Sequence, residues 1–216
     1  MEVKKKDIRA LTKDELRFFF VENNEQAFRG NQVYEWLWSK SLHTFDAMTN
    51  ISKETREMLE ANFVINHIKV DSMQKSNDGT IKNGIRLHDG LIVESVLIPT
   101  DKRTTACVSS QVGCSLDCKF CATSRLKRMR NLNPDEIYDQ VVIIDKQSRL
   151  YFNHKLSNIV FMGMGEPLMN YKNMMKSIEM ITSPEGLGMS SKRITVSTSG
   201  VPKMIKKMAD EDVKFN

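Results

Sequence analysis

The chain has 216 residues, with 32 Lys and Arg against 27 Asp and Glu, a formal charge of +5. Its 40% hydrophobic and 27% charged content is that of a globular protein and excludes a disordered chain. No apolar run approaches the ~18 residues of a membrane span, and Met1–Asp7 has no apolar core behind its lysines, so it is no secretory signal and the expectation is a soluble, cytoplasmic chain.

Residues 12 to 62 read as a small all-helical unit. Thr12-x-x-Glu15 is a capping box ahead of the apolar run Leu16, Phe18, Phe19, Phe20, Val21. Val33, Tyr34, Leu37 and Trp38 stand at helical spacing over Asn31 to Ser39, with Gly30 expected in the turn before them. Ser52 is the expected N-cap of a third helix ending near Asn62, and the aromatics of this unit read as core.

The period then changes. Val64–Met73, Ile81–Leu87 and Leu91–Ile98 are β-type runs, separated by the hairpin-turn dipeptides Asp78-Gly79 and Asp89-Gly90. A fourth run, Thr104–Ser109, leads into a group of cysteines. From Asn133-Pro134 the chain alternates: helix to about Arg149, strand Asn158–Met162, helix Tyr171–Thr182, strand Arg193–Thr198, helix Pro202–Asp210 and a strand start at Val213–Phe215. That rhythm predicts βαβ units and a parallel sheet. The expected fold class is α/β, organised as a helical domain over 1–63, a β-hairpin extension over 64–100 and a partial (βα) barrel over 101–216. Three βα units and a strand start do not close a barrel, so the chain is expected to be the N-terminal part of a longer protein.

Charge and cysteines coincide. Residues 101–130 hold seven cations (Lys102, Arg103, Lys119, Arg125, Lys127, Arg128, Arg130) against Asp101 and Asp117, a local +5, while the rest balances at 25 against 25. Lys127, Arg128 and Arg130, directly after the last cysteine, are the expected contacts for the phosphates of a polyanionic partner. All four cysteines lie in the same window. Cys114, Cys118 and Cys121, three and two residues apart, suit a metal better than a disulfide framework. Zinc would need a fourth ligand, for which Cys107 is the nearest cysteine and no histidine has knuckle spacing. An iron–sulfur cluster takes thiolates too, and with three protein ligands it keeps one iron open. Glu94 is a carboxylate inside the apolar run Leu91–Val96 and needs a partner or a use. Met162, Met164 and Met169 read as flexible core filling.

The C-x-x-x-C-x-x-C spacing with Phe120 before the last cysteine resembles the radical S-adenosylmethionine (SAM) superfamily. The runs Ala106–Cys114, Cys118–Thr123, Phe161–Leu168 and Val196–Gly200 together resemble the RlmN/Cfr family of radical SAM RNA methyltransferases, and Pro167 after Gly165-Glu166 is closer to the RlmN branch. This resemblance implies a 4Fe-4S cluster on Cys114, Cys118 and Cys121, with SAM at Gly165, Glu166 and Ser197 (Ser199 being the less favoured serine). It implies methylation of C2 of an adenine in 23S rRNA, in the peptidyl transferase centre, and in tRNA next to the anticodon. C2 is electron-poor and not a nucleophile, which is why a radical is needed. The resemblance further implies a methyl-carrying cysteine beyond Asn216, so that this chain alone would be inactive. A protein–RNA crosslink would be resolved by Cys107 through a transient disulfide, with Glu94 as proton acceptor. Helical RNA-binding at the N-terminus, an external electron donor such as flavodoxin, and a monomeric state complete the expectation. The other readings are a radical SAM enzyme with a different substrate and a zinc-stabilised RNA-binding module.

Overall fold

The computed structural model describes residues 5–216, so the reading of Met1–Asp7 falls partly outside the described residues. The chain divides into two compact units, Met1–His67 with Ser183–Gly188, and Ile68–Thr182 with Met189–Asn216.

In the first unit a short strand β1 (Lys6–Asp7) pairs in parallel with β2 (Phe63–Val64), and three helices lie between them: α1 (Lys13–Glu22), α2 (Phe28–Leu37) and α3 (Lys53–Asn62). Thr12 and Glu15 form the expected reciprocal capping box on α1, and the Ser52 hydroxyl accepts from Thr55 N–H at the start of α3. Gly30 is not in a turn. It lies inside α2, where an added Cβ would sit 2.6–2.9 Å from the α1 backbone at Leu16 and Arg17. A glycine in a helix costs about 1 kcal/mol against alanine, and here it lets the two helices approach. Ile8, Leu16, Phe20, Val33, Leu37, Trp38, Met48 and Leu59 make the core. Phe18 and Phe28 depart from the expected core role and are exposed.

The second unit is built on one six-stranded sheet in the order β10-β9-β6-β5-β4-β3, with β3 (Lys69–Lys75), β4 (Ile81–Arg86), β5 (Ile92–Pro99), β6 (Thr104–Cys107), β9 (Asn158–Phe161) and β10 (Ile194–Val196). A two-stranded pair, β7 (Gln111–Val112) with β8 (Arg130–Asn131), flanks it. Helices α4 (Pro134–Phe152) and α5 (Tyr171–Thr182) connect the parallel strands, and α6 (Pro202–Asp210) follows β10. Strands β3 to β6 are antiparallel, turned at Gly79 and Gly90; β6, β9 and β10 are parallel. The hairpin strands are therefore continuous with the α/β half in one sheet. Strand β3 starts at Lys69 and not at Val64, because the backbone of Asn66 is engaged by Asp7 and Arg9 of the first unit. The predicted strand ends also shorten: Ser109 N–H goes to Gln140 Oε1, and Ser199 N–H to Glu166, so both chains leave the ladder. Val213–Phe215 carries no strand. Asn216 instead makes both bonds of a parallel bridge beside β10, N–H to Ile194 O at 3.0 Å and C=O from Val196 N–H at 2.8 Å.

Alternation gives the sheet two unlike faces. Val93, Leu97, Ala106, Ile159, Phe161 and Ile194 are buried, with α4 packed over β5 and β6. Glu94, Val96, Thr105, Cys107, Val160 and Thr195 point to the other, more open face. Among the described residues no helix is long and apolar enough to cross a membrane.

Candidate functional site

Because β6, β9 and β10 run parallel, the loops after Cys107, Phe161 and Val196 emerge at one edge. That edge is where ligand groups gather in sheets of this kind. Three segments singled out in the sequence reach it: the cysteine loop through residues 108–113, Gly165-Glu166 after β9, and residues 197–200 after β10.

The base of the cysteine loop is held by side-chain amides. Gln140, on the buried face of α4, accepts from Ser109 N–H at 2.9 Å and donates to Ser109 O at 3.2 Å. Asn170 donates to Ser110 O and Leu132 O, each at 2.8 Å. Gln111 is fully buried; its Oε1 accepts from Glu166 N–H at 2.9 Å and its Nε2 donates to Asn131 Oδ1 at 2.8 Å. An amide carries one acceptor and one donor group, so each buried backbone group finds its complement without a charge. These residues escaped the sequence reading. The available signal was Gln140 itself, a polar residue on the stripe of Ile137, Val141 and Ile144.

Glu166 is 4% exposed and joins two loops. One carboxylate oxygen accepts from Leu168 N–H (3.0 Å) and Thr198 Oγ1 (2.7 Å), the other from Ser199 N–H and Ser199 Oγ (2.8 Å each). Ser199 thus meets Glu166, while Ser197, the serine expected at SAM, is exposed. Gly165 has φ +95°, and a Cβ there would lie 2.5 Å from Gln111 Cβ, so its close approach is to the chain's own Gln111.

The cysteine loop proper is open. Cys114, Cys118 and Cys121 are free and partly exposed, Phe120 is 94% exposed, and Leu126 and Met129 are exposed beside them. Met162 and Met169 are exposed too, contrary to the core-filling expectation, whereas Met164 is buried. Among the described residues no three His, Cys, Asp or Glu side chains are gathered in metal-binding geometry. The donor chemistry nonetheless fits an iron–sulfur cluster, since thiolates are its ligands and all three come from one short loop.

Glu94 and Cys107 share the open face. Cys107 is paired with Val96, two residues from Glu94, and Ser109 Oγ donates to Glu94 O at 2.5 Å. Glu94 is half exposed and ion-paired to Lys82 of β4 at 2.5 Å, which meets its need for a partner. Burial pushes the Cys107 thiol up, with a backbone hydrogen bond from Met162 acting weakly the other way.

The basic window is not one patch. Lys102 and Arg103 precede β6 and so lie at the opposite edge of the sheet from the cysteine loop. Arg130 is spent internally: its guanidinium meets Glu136 at 2.7 and 2.8 Å and Asp89 at 2.6 Å, and Glu136 also receives Asn133 N–H and touches His88. Burial disfavours the Arg130 charge, but these two carboxylates outweigh it and push its pKa up. Arg130 is therefore withdrawn from the expected phosphate contacts. Arg125, Lys127 and Arg128 remain exposed near the cysteines.

Comparison with known proteins agrees with this layout. Residues 6–65 match the ribosomal RNA large subunit methyltransferase N-terminal domain, and residues 108–215 match the radical SAM superfamily. The chain is 78% identical over its whole length to a protein of Flavobacterium johnsoniae named probable dual-specificity RNA methyltransferase RlmN, of which it covers 62%. It is 59% identical to the protein of the same name from Cytophaga hutchinsonii, covering 99% of this chain and 59% of that one. A crystal structure of a radical SAM methyltransferase from Sphaerobacter thermophilus superposes with a TM-score of 0.86 at 35% identity, over 98% of this chain and 62% of that one. The chain thus spans less than two thirds of the relatives it matches.

Proposed function

Because the chain belongs to the RlmN/Cfr family of the radical SAM superfamily, we propose that it forms the cluster- and SAM-binding part of an RNA methyltransferase acting on C2 of adenine. The substrates proposed are 23S rRNA and tRNA, met in the cytoplasm, with an external flavodoxin-type electron donor. The observation that supports this reading best is the convergence of three loops on one sheet edge. The cysteine loop, Gly165-Glu166 and residues 197–200 come from separate stretches of sequence, yet Gln111 and Glu166 bond them to one another.

Cys114, Cys118 and Cys121 would hold the 4Fe-4S cluster, and Gly165, Glu166 and Ser197 would contact SAM. Bound together, cluster and SAM supply a carbon radical able to activate an electron-poor ring carbon. The chain's own residues then do three things. Arg125, Lys127 and Arg128 draw the RNA backbone to the exposed loop. Glu94, set on the open face and oriented by Lys82, accepts the proton leaving the adenine ring. Cys107, kept as a thiol by burial, stands two residues along the same face to resolve the covalent intermediate. For Glu166 to take a SAM ammonium, that ammonium must share or replace one of the four donors it already has.

Anaerobic reconstitution of the chain tests the cofactor reading. The expected result is a brown protein with about four irons per chain, whose reduced-cluster EPR spectrum changes on addition of SAM. A colourless protein with one tightly held zinc would sink it in favour of the RNA-binding module. The substrate reading is tested on a completed protein, in which the C-terminal remainder of the Flavobacterium johnsoniae relative follows Asn216. It should methylate adenine C2 in 23S rRNA and tRNA fragments, and Glu94→Gln should stall at the crosslinked stage. SAM cleavage without RNA methylation would point to another substrate.

A further inference from the structure

Four segments of the site edge are connected by an unbroken set of hydrogen bonds. Asn131 Oδ1 on β8 accepts from Gln111 Nε2 (2.8 Å), and Gln111 Oε1 on β7 accepts from Glu166 N–H (2.9 Å). The Glu166 carboxylate then accepts from Thr198 and Ser199. The orientation of both amides is fixed by the network. Glu166 N–H can only donate, so Gln111 must present its oxygen there and its NH2 to Asn131. Arg128 also donates to Asn131 Oδ1, at 3.0 Å, so that atom must be oxygen. Gln111 backbone N–H adds a bond to Met164 O at 3.2 Å, and Gly165 lies against the Gln111 side chain with no room for a Cβ.

We propose that Gln111 and Asn131 are a pair of positioning residues that set the Gly165-Glu166 loop against the cysteine loop. The hydrogen bonds of their side chains run to Glu166, Arg128, Met169 and each other. They act through the backbone of Glu166: the Gln111 amide holds the N–H side of the Gly165-Glu166 peptide, and Asn131 holds the amide in register from the strand that closes the cysteine loop. The spacing between SAM loop and cysteine loop is thereby set by two neutral hydrogen bonds and one glycine contact. This inference rests on the cofactor reading given above.

Its test uses the completed protein, reconstituted, with SAM as the probe. Gln111→Met removes both bonds and Asn131→Leu removes the acceptor, whereas Asn131→Asp keeps an acceptor oxygen for Gln111 and Arg128. Iron content, SAM dissociation constant and the SAM-induced change in the reduced-cluster EPR spectrum are read for each. Gln111→Met and Asn131→Leu should keep full iron content, bind SAM about tenfold more weakly, the equivalent of ~1.4 kcal/mol, and show a diminished spectral change. Asn131→Asp should stay near the parent in all three. If Asn131→Leu and Gln111→Met bind SAM within about twofold of the parent, or lose iron in step with SAM affinity, the pair is merely part of the fold and the proposal is overturned. Should Gln111→Met fail to fold, the contrast between Asn131→Leu and Asn131→Asp decides. A parent protein whose spectrum ignores SAM would overturn the cofactor reading itself, and the inference with it, before any variant is made.

Discussion

Residues 108–113 and 114–129 are consecutive in the chain and differ in how they are held. The first stretch is buried, and almost every polar group in it meets an amide or backbone partner from α4, β8 or the loop after β9. The second exposes its aromatic and all four of its cations, and its internal bonds include Cys121 N–H to Cys118 O at 3.0 Å and the isolated bridge of Cys114 with Lys127. One stretch is a frame whose geometry the fold determines. The other leaves three cysteine thiols partly exposed. The proposed cluster ligands are therefore in the open stretch, and the side chains that hold its base are in the closed one.

The comparison can be broken hardest at Arg130, the cation of the window that belongs to the frame. Arg130→Ala leaves Glu136, with a side chain 1% exposed, without its bidentate partner. Removing one member of such a pair costs about 3–5 kcal/mol, and urea unfolding should show that loss. A change under about 1 kcal/mol would mean that His88 and the α4 N-terminus suffice for the carboxylate.

Next in size is Gly165→Ala. It places a side chain at φ +95° against Gln111. Strain of about 1–3 kcal/mol adds to overpacking of similar size, so destabilisation of more than about 2 kcal/mol is expected in the same assay. Gly200→Ala, also at positive φ but with open space around it, should show the strain without the overpacking.

The exposed cations should behave in the opposite way. Replacing Arg125 and Lys127 together in the completed protein should leave the unfolding midpoint unchanged. RNA binding should weaken and the salt dependence should flatten by about one unit of slope per lost phosphate contact. Unaltered RNA affinity would make the loop's charge a solvated surface only. Single Cys→Ala changes at 114, 118 or 121 sharpen the contrast further. Each should change apo-protein stability by no more than about 0.5 kcal/mol and yet abolish the brown colour on reconstitution.

The smallest effect concerns Cys107. Its thiol pKa is raised in the folded chain by burial, so the folded state binds the proton more tightly than the unfolded one. Stability from this source is complete below the ordinary cysteine pKa, near ~8.5, and is lost as pH rises through the folded value. Stability measured from pH 7 to pH 10 should fall slightly less steeply in Cys107→Ala. Cys107 should also be the last of the four thiols to be alkylated at pH 8. Alkylation at the rate of Cys118 would contradict its raised pKa.

Much of this protein was legible before any coordinates. The capping box at Thr12, the helix start at Asn133-Pro134, the helices over 171–182 and 202–210, the hairpin turns and the three cysteines follow from local rules of spacing and composition, because each depends on residues a few positions apart. What the sequence could not show were partners distant along the chain. Gly30 reads as a turn until α1 is laid against it. Arg130 reads as one more surface cation until Asp89, 41 residues away, and Glu136 close around it. Ser197 and Ser199 are equivalent in a string of small polar residues, and only the approach of Glu166, 33 residues from Ser199, separates them. The sequence alone determined which atoms can ligate, stack or carry charge, since those are properties of side chains. The tertiary structure decided which are free to do so, because a hydrogen bond or ion pair made inside the fold is one no longer offered to a ligand.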